Sequence, residues 1–131
     1  MRMELVRPDH LYQDNYSHAA IAPPGGLIFT AGACPIDERG KLVGGTSFAS
    51  QAQQAMANLV TTLAAAGGAG LPDVLKTMVY VVSAEPGDID DVWEVVRAAF
   101  GDHDVPGTVV GVTVLGYEGQ LVEIEAVALA S

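Results

Sequence analysis

The sequence contains little of what several classes of protein require. Cys34 is its one cysteine, which excludes an intramolecular disulfide framework and fits a reducing cytosol. No apolar run approaches the ~20 residues of a membrane span, and residues 1–9 hold no uninterrupted apolar core of signal-peptide length. We therefore expect a cytoplasmic protein with no membrane partner and no secretory route.

Positive charge is also scarce. Six lysines and arginines stand against sixteen acids, so the formal net charge is -10. A phosphate backbone would be repelled over most of such a surface, and the sequence has no basic stripe to offset this repulsion. We therefore predict no nucleic-acid partner.

Motifs that hold metals, phosphates or nucleotides are missing as well. The chain has no HExxH motif, no quartet of cysteines and histidines, no Walker A phosphate loop and no GxGxxG turn after a strand. Its histidines, His10, His18 and His103, lie far apart in the sequence. We predict neither a metal site nor a cofactor.

What the chain does have is apolar sequence arranged in regular patterns. Half of its 131 residues are hydrophobic, which excludes a disordered chain and predicts one domain over residues 1–131. Ser47 or Thr46 is positioned to cap a long amphipathic helix, and Asp88 to cap a second one that Gly101 ends. The predicted elements are strands 18–22 and 27–31, a helix over 47–66, a strand over 75–82, a helix over 89–100, and a hairpin of strands 109–115 and 121–130.

This order, β-β-α-β-α-β-β, predicts an α+β fold. Two strand-helix-strand units require parallel pairs with right-handed crossovers, so both helices should pack on one face of a mixed sheet. The strand over 75–82 is apolar on both faces, and the final strands nearly so. Because a large exposed apolar sheet would aggregate, we expect a second copy of the chain to cover the other face.

Four candidate residues allow two interpretations each. Strict alternation in the last strand places Glu123 and Glu125 on one face with aliphatic residues, so these acids are either half solvated or line a pocket. Cys34 is either an accessible nucleophile or a small buried hydrophobe, and no neighbouring base favours the first. Trp93 is either a core residue or a stacking platform.

Short motifs also follow one another in a recognisable order along nearly the whole chain. They are Asn15-Tyr16-Ser17, Ala31-Gly32 followed by Pro35, the long amphipathic helix, Asp73 to Val81, Val92-Trp93-Glu94-Val95 before Phe100, Pro106, and Glu123-Ile124-Glu125-Ala126. In this order and spacing they resemble the Rid family of reactive intermediate deaminases, which is also called YjgF.

The resemblance implies a chorismate-mutase-like fold that assembles as a homotrimer around a central barrel, with helices outside and a small-molecule cleft at each subunit interface. Deaminating members hydrolyse 2-imino acids or enamines to 2-keto acids and ammonia without a metal or cofactor. Their cleft holds a tyrosine, a glycine and a glutamate, to which Tyr16, Gly32 and Glu123 correspond. Some relatives carry an endoribonuclease label, which the acidic composition does not favour.

The chain departs from the pattern of the deaminases at three cleft positions. Thr108 replaces the arginine that binds the substrate carboxylate, Trp93 replaces an asparagine, and Val110 replaces a cysteine. Loss of a bidentate charge-assisted pair removes about 1.5 to 3 kcal/mol of binding free energy. The cations that could compensate for it are Arg39, Lys76 and Arg97.

Two hypotheses of function follow. In the first, the chain is an enzyme that hydrolyses an imine or enamine on a non-standard substrate, with Glu123 as acid or base and Thr108 as a hydrogen-bond donor. In the second, the trimer is not catalytic and either binds a small, neutral metabolite or serves a regulatory or scaffold role.

Overall fold

The structure is a computed structural model that describes residues 4–13, 17–22, 25–67 and 69–130. It contains one more strand than the sequence predicts, because the three-residue β1 is too short for a periodic signal. The elements are β1 (Glu4–Val6), β2 (Ala19–Ile21), β3 (Leu27–Thr30), α1 (Phe48–Ala65), β4 (Val74–Val81), α2 (Pro86–Phe100), β5 (Gly107–Gly111) and β6 (Val122–Leu129), with a short 3-10 helix over Leu71–Asp73.

All six strands form one mixed sheet in the order β1-β2-β3-β6-β4-β5. β4 and β5 pair in parallel across α2, as predicted, and β3 runs parallel to β4 with β6 inserted between them. β6 is antiparallel to both of its neighbours. The α+β class and the mixed sheet are therefore confirmed.

The predicted hairpin of strands 109–115 and 121–130 is wrong. β4 lies between β5 and β6, so these two strands do not pair. β5 also ends at Gly111, because β4 ends at Val81 and residues 112–115 have no strand to pair with. Val114 is 74% exposed in the connection that crosses from the sheet edge to its centre.

The helices agree with their predicted positions apart from one cap. Ser47 caps α1, and its Oγ accepts a hydrogen bond from the Ser50 N–H at 3.1 Å. The predicted Asp88 cap of α2 is wrong, because the helix begins at Pro86, whose fixed φ suits a first helical position. Asp88 instead accepts a hydrogen bond from Ser83 Oγ at 2.7 Å.

No helix in the described part of the chain combines the length and apolar character that crossing a membrane requires.

Both helices cover the same face of the sheet, where the hydrophobic core lies. Alternate residues of β6 are buried on this face, and α1 supplies Ala55, Leu59 and Leu63 above them. The fully buried members of the central strands include Val79, Val81, Val122 and Ile124. The alternation predicted for the last strand is therefore confirmed.

Neither α1 nor α2 covers the other face of the sheet, and we call it the open face. Phe29 and Leu129 belong to this face and are 53% and 47% exposed, although they lie beside the fully buried Ile28 and Ala128. Leu5, which pairs with Ala20 on the same side, is also exposed. Contiguous apolar surface of this kind is typical of protein interfaces.

We expect Phe29→Asp to shift the protein toward a smaller species in sedimentation velocity at micromolar concentration, because a charge on the open face opposes its burial between copies of the chain. Val60→Asp is the matched control, since Val60 is 41% exposed on α1, away from the open face. The control should sediment like the unmodified protein. A single-chain species of 13.6 kDa for the unmodified protein would contradict this expectation.

Candidate functional site

The site begins where β6 meets the segment that follows β3. Ala33 forms an isolated bridge with Ile124, with its N–H donating to Ile124 O at 2.6 Å and its C=O accepting at 3.1 Å. The bridge places Gly32 beside Glu123, whose side chain lies on the open face because Val122 and Ile124 on either side of it are buried. Two of the candidate residues, Gly32 and Glu123, are therefore brought into contact.

The absence of a side chain at position 32 makes this contact possible. A Cβ on Gly32 would overlap Oε2 and Cδ of Glu123. Gly32 does not have a positive φ, so the requirement is for space rather than for an unusual backbone conformation. Glycine thus lets the carboxylate lie directly against the backbone.

Two donors hold one oxygen of the Glu123 carboxylate. Cys34 Sγ lies 3.2 Å from Oε1, and Gln120 Nε2 donates to the same oxygen at 3.3 Å. Cys34 is buried, and burial followed by the charge of Glu123 raises the pKa of its thiol to about 12. The thiol is therefore protonated near neutral pH and acts as a hydrogen-bond donor rather than as a thiolate nucleophile.

A buried amide on α1 holds the segment that carries Gly32 and Cys34. Asn58 Nδ2 donates to Cys34 O at 2.8 Å and to Ile36 O at 2.9 Å. Both carbonyls are thereby satisfied away from water, which a buried segment requires. Asn58 thus anchors one side of the site to the helix.

A second buried amide holds the other side. Gln51 is 0% exposed, and its Nε2 donates to Gly45 O at 2.7 Å and Gly119 O at 3.0 Å. Its Oε1 accepts from the Leu121 N–H at 2.7 Å. Gln51 therefore fixes the residues that flank Gln120, one of the two donors to Glu123.

A second acid, Glu125, lies on the open face two residues after Glu123 in β6. Glu125 accepts a hydrogen bond from the Tyr80 hydroxyl, and this bond and then burial raise the Tyr80 pKa to about 12. Tyr80 also pairs with Glu123 across β4 and β6. The central part of the open face therefore presents two carboxylates and a protonated phenol.

Thr108 and Val110 lie on the open face of the edge strand β5, but not beside Glu123. Thr108 pairs with Met78 and Val110 with Tyr80, so β4 separates both residues from β6. Two strand spacings, about 10 Å, lie between the backbones of Val110 and Glu123. One chain alone therefore does not bring Thr108 into contact with the Glu123 carboxylate.

Trp93 does not join this group. Trp93 packs on the helix-covered side of the sheet, where a Cβ added to Gly107 would overlap its ring and would also contact Thr77. The core interpretation of Trp93 agrees with this position. The prediction for Tyr16 falls outside the described residues.

Of the three cations considered as replacements for the missing arginine, Lys76 alone shares the open face, where it pairs with Val127. Arg97 forms an exposed ion pair with Glu94 at 3.1 Å on α2. Arg39 lies in an exposed turn. Among the described residues, no group of three histidine, cysteine or acidic side chains is placed to hold a metal ion.

The sequence did not reveal Gln120, Gln51 or Asn58 as parts of the site. A signal was present, since Gln51 and Asn58 are seven residues apart and so lie two turns apart on one helix face, beside the buried Ala55. An amide at such positions requires partners when buried. Gln120 follows a turn glycine, and the sequence pattern at this position does not predict its contact with Glu123.

Comparisons with known proteins agree with this architecture. The family model described as Endoribonuclease L-PSP matches residues 9–130. A Thermotoga maritima protein named as a candidate endoribonuclease has 32% identity and a TM-score of 0.85, covering 100% of this chain and 99% of its own. No curated protein matches the sequence.

Two further solved structures carry the other names of the family. A Mycobacterium tuberculosis protein described as a member of the YjgF family has 29% identity and a TM-score of 0.78, over 98% of this chain and 100% of its own. RidA from an Antarctic Psychrobacter has 28% identity and a TM-score of 0.81, over 96% and 98% of the two chains. The chain therefore belongs to the Endoribonuclease L-PSP family, also known as the YjgF or Rid family.

Proposed function

We propose that the protein hydrolyses a small imine or enamine to the corresponding carbonyl compound and ammonia, with Glu123 as acid and base. The observation that supports this most directly is the Glu123 carboxylate, which is held against Gly32 by Cys34 and Gln120. A carboxylate fixed in this way is suited to proton transfer, which needs a defined position more than charge alone.

The chemistry balances with water as the only co-reactant. The imine nitrogen takes up a proton from solvent, and Glu123 accepts a proton from water while the water oxygen bonds to the imine carbon. The neutral carbinolamine then collapses: the protonated Glu123 returns its proton to the nitrogen, the C–N bond breaks, the carbinol hydroxyl releases its proton to solvent as the C=O bond forms, and ammonia departs. An imine and water thus give a carbonyl compound and ammonia.

The charge of the open face favours a neutral or cationic substrate. Glu123 and Glu125 lie on it together, and Thr108 occupies the position where the deaminases of the family carry an arginine. A threonine hydroxyl donates one hydrogen bond but does not balance a carboxylate. An anionic 2-imino acid would therefore be repelled, whereas an imine with an amide or amine substituent would not.

A homotrimer supports this function in two ways. Further copies of the chain would cover Phe29 and Leu129 on the open face, and they would enclose the Glu123 carboxylate in a cleft between subunits. Thr108 from one copy would then be available to the Glu123 of another, a contact that one chain alone does not make.

Cleavage of RNA, which the names of some relatives describe, fits this chain less well. The formal net charge is -10, and the described open face is acidic around Glu123. A protein that binds RNA needs lysines and arginines to neutralise phosphates. We therefore do not propose RNA cleavage as the function of this protein.

A non-catalytic trimer that binds a neutral metabolite is the second candidate. Thr108 favours it, because the residue removes the anchor that orients the reacting carbon in the deaminases. The two candidates differ in turnover. Binding of a neutral amide without release of ammonia from any imine would favour the binding protein.

We expect Glu123→Gln to lower kcat/KM for ammonia release from freshly generated 2-iminopropanamide by about 10²- to 10⁴-fold, because the amide neither accepts nor returns the proton. Glu94→Gln is the matched control on the outer side of α2, where Glu94 forms an exposed ion pair with Arg97. Its rate should equal that of the unmodified protein. Equal rates for both variants would rule out Glu123 as the acid and base.

Thr108→Arg should raise the preference for an anionic substrate. A bidentate pair with a carboxylate contributes about 1.5 to 3 kcal/mol, so we expect the kcat/KM ratio of 2-iminopropanoate to 2-iminopropanamide to rise about ten- to a hundredfold. Thr61→Arg adds the same charge on α1 and serves as the control. An unchanged ratio in Thr108→Arg would show that position 108 does not contact the substrate.

A further inference from the structure

The two oxygens of the Glu123 carboxylate have different surroundings. Oε1 receives hydrogen bonds from Cys34 Sγ at 3.2 Å and Gln120 Nε2 at 3.3 Å. Within the described part of the chain, no hydrogen bond to Oε2 is present, and this oxygen lies over the backbone of Gly32. Among the described residues, Oε1 is thus saturated with donors while Oε2 keeps its lone pairs for a ligand.

Both polar atoms of the Gln120 side-chain amide form hydrogen bonds. Its Oε1 accepts from the Tyr117 N–H at 3.1 Å, and its Nε2 donates to Val122 O at 3.0 Å as well as to Glu123. The side chain is 3% exposed, so its amide cannot exchange these partners for water. Gln120 therefore presents its second N–H to Glu123 in a fixed direction.

Cys34 presents its thiol with similar restraint. Asn58 fixes its backbone carbonyl at 2.8 Å, and the side chain is 8% exposed. The Sγ atom lies closer to Glu123 Oε1, at 3.2 Å, than to Gly32 O, at 3.5 Å. The charged acceptor is the stronger partner for the single S–H proton.

We propose that Cys34 and Gln120 are positioning residues that clamp Oε1 of Glu123, so that Oε2 is the oxygen that exchanges protons with the substrate. The assignment of catalysis to Oε2 rests on the proposed hydrolysis, whereas the clamp itself does not. Neither positioning residue touches the reacting atoms. Their role is to keep Oε2 over Gly32 when the carboxylate gains and loses its proton.

The kinetic test compares Cys34→Ala with Cys34→Ser. Alanine removes the donor, whereas serine keeps one, so we expect kcat for 2-iminopropanamide to fall about tenfold in Cys34→Ala with KM within about twofold, and to recover in Cys34→Ser. A purely structural role would lower the melting temperature of both variants and would not produce rescue by serine. A change in KM alone, or equal losses in both variants, would overturn the positioning role.

The Gln120→Leu variant tests the clamp independently, because it removes the other hydrogen-bond donor to Oε1 of Glu123. Combined with Cys34→Ala, it should lower kcat toward that of Glu123→Gln, about a hundredfold or more below the unmodified protein. A double variant no slower than Cys34→Ala alone would show that Gln120 has no part in positioning.

A measurement that does not depend on enzymatic activity tests the clamp separately from the proposed reaction. Cys34 is the only cysteine in the sequence, so its alkylation by iodoacetamide can be followed by mass spectrometry. At pH 9, Glu123→Gln should speed alkylation about three- to tenfold, because loss of the carboxylate charge increases the thiolate fraction. An unchanged rate would overturn the clamp, whereas a faster rate in a protein without imine hydrolysis would uphold the clamp and reject the function.

Discussion

The hydrogen bonds that two buried amides of α1 make with loop backbone are the interactions on which the site depends. Asn58 holds the backbone of Cys34, and Gln51 holds the residues on both sides of Gln120. Glu123 lies between these two segments, with its carboxylate against Gly32. Because breaking either amide would leave buried backbone groups without partners, the helix keeps both walls of the site in register with β6.

The alternation of side chains in the sheet determines which residues of β6 face the site. Alternation in β6 places aliphatic residues under the helices and acids on the open face, so one strand serves both the core and the site. Because Phe29 and Leu129 extend the open face with apolar surface, burial between copies of the chain would also lower the dielectric constant around Glu123. In the proposed assembly, the interface between copies would thus link oligomerisation to the proposed hydrolysis.

Much of the fold was predictable because its signals are local. The apolar spacing over 47–66 matches α1 at Phe48–Ala65 to within one residue at each end, and the alternation of β6 was visible in the sequence. The hairpin error has a physical cause: turn residues show that the chain bends, but not which strand enters the gap. β6 pairs with β3 and β4 through long-range contacts that no short window contains.

The site was predictable only in part, for a related reason. Gly32 and Glu123 were identified by resemblance and do meet, whereas Thr108 lies on the far side of β4 and Trp93 on the far side of the sheet. The contact of Gln120 with Glu123 depends on a turn conformation and a helix amide, which neither composition nor periodicity encodes.

The most direct test of the account is a crystal structure with pyruvamide, the neutral carbonyl product expected from 2-iminopropanamide. We expect the ligand in a cleft between copies of the chain, with its carbonyl or amide group within hydrogen-bond distance of Glu123 Oε2 and beside Gly32. Pyruvamide bound elsewhere, or a Glu123 carboxylate directed into bulk water, would contradict the account.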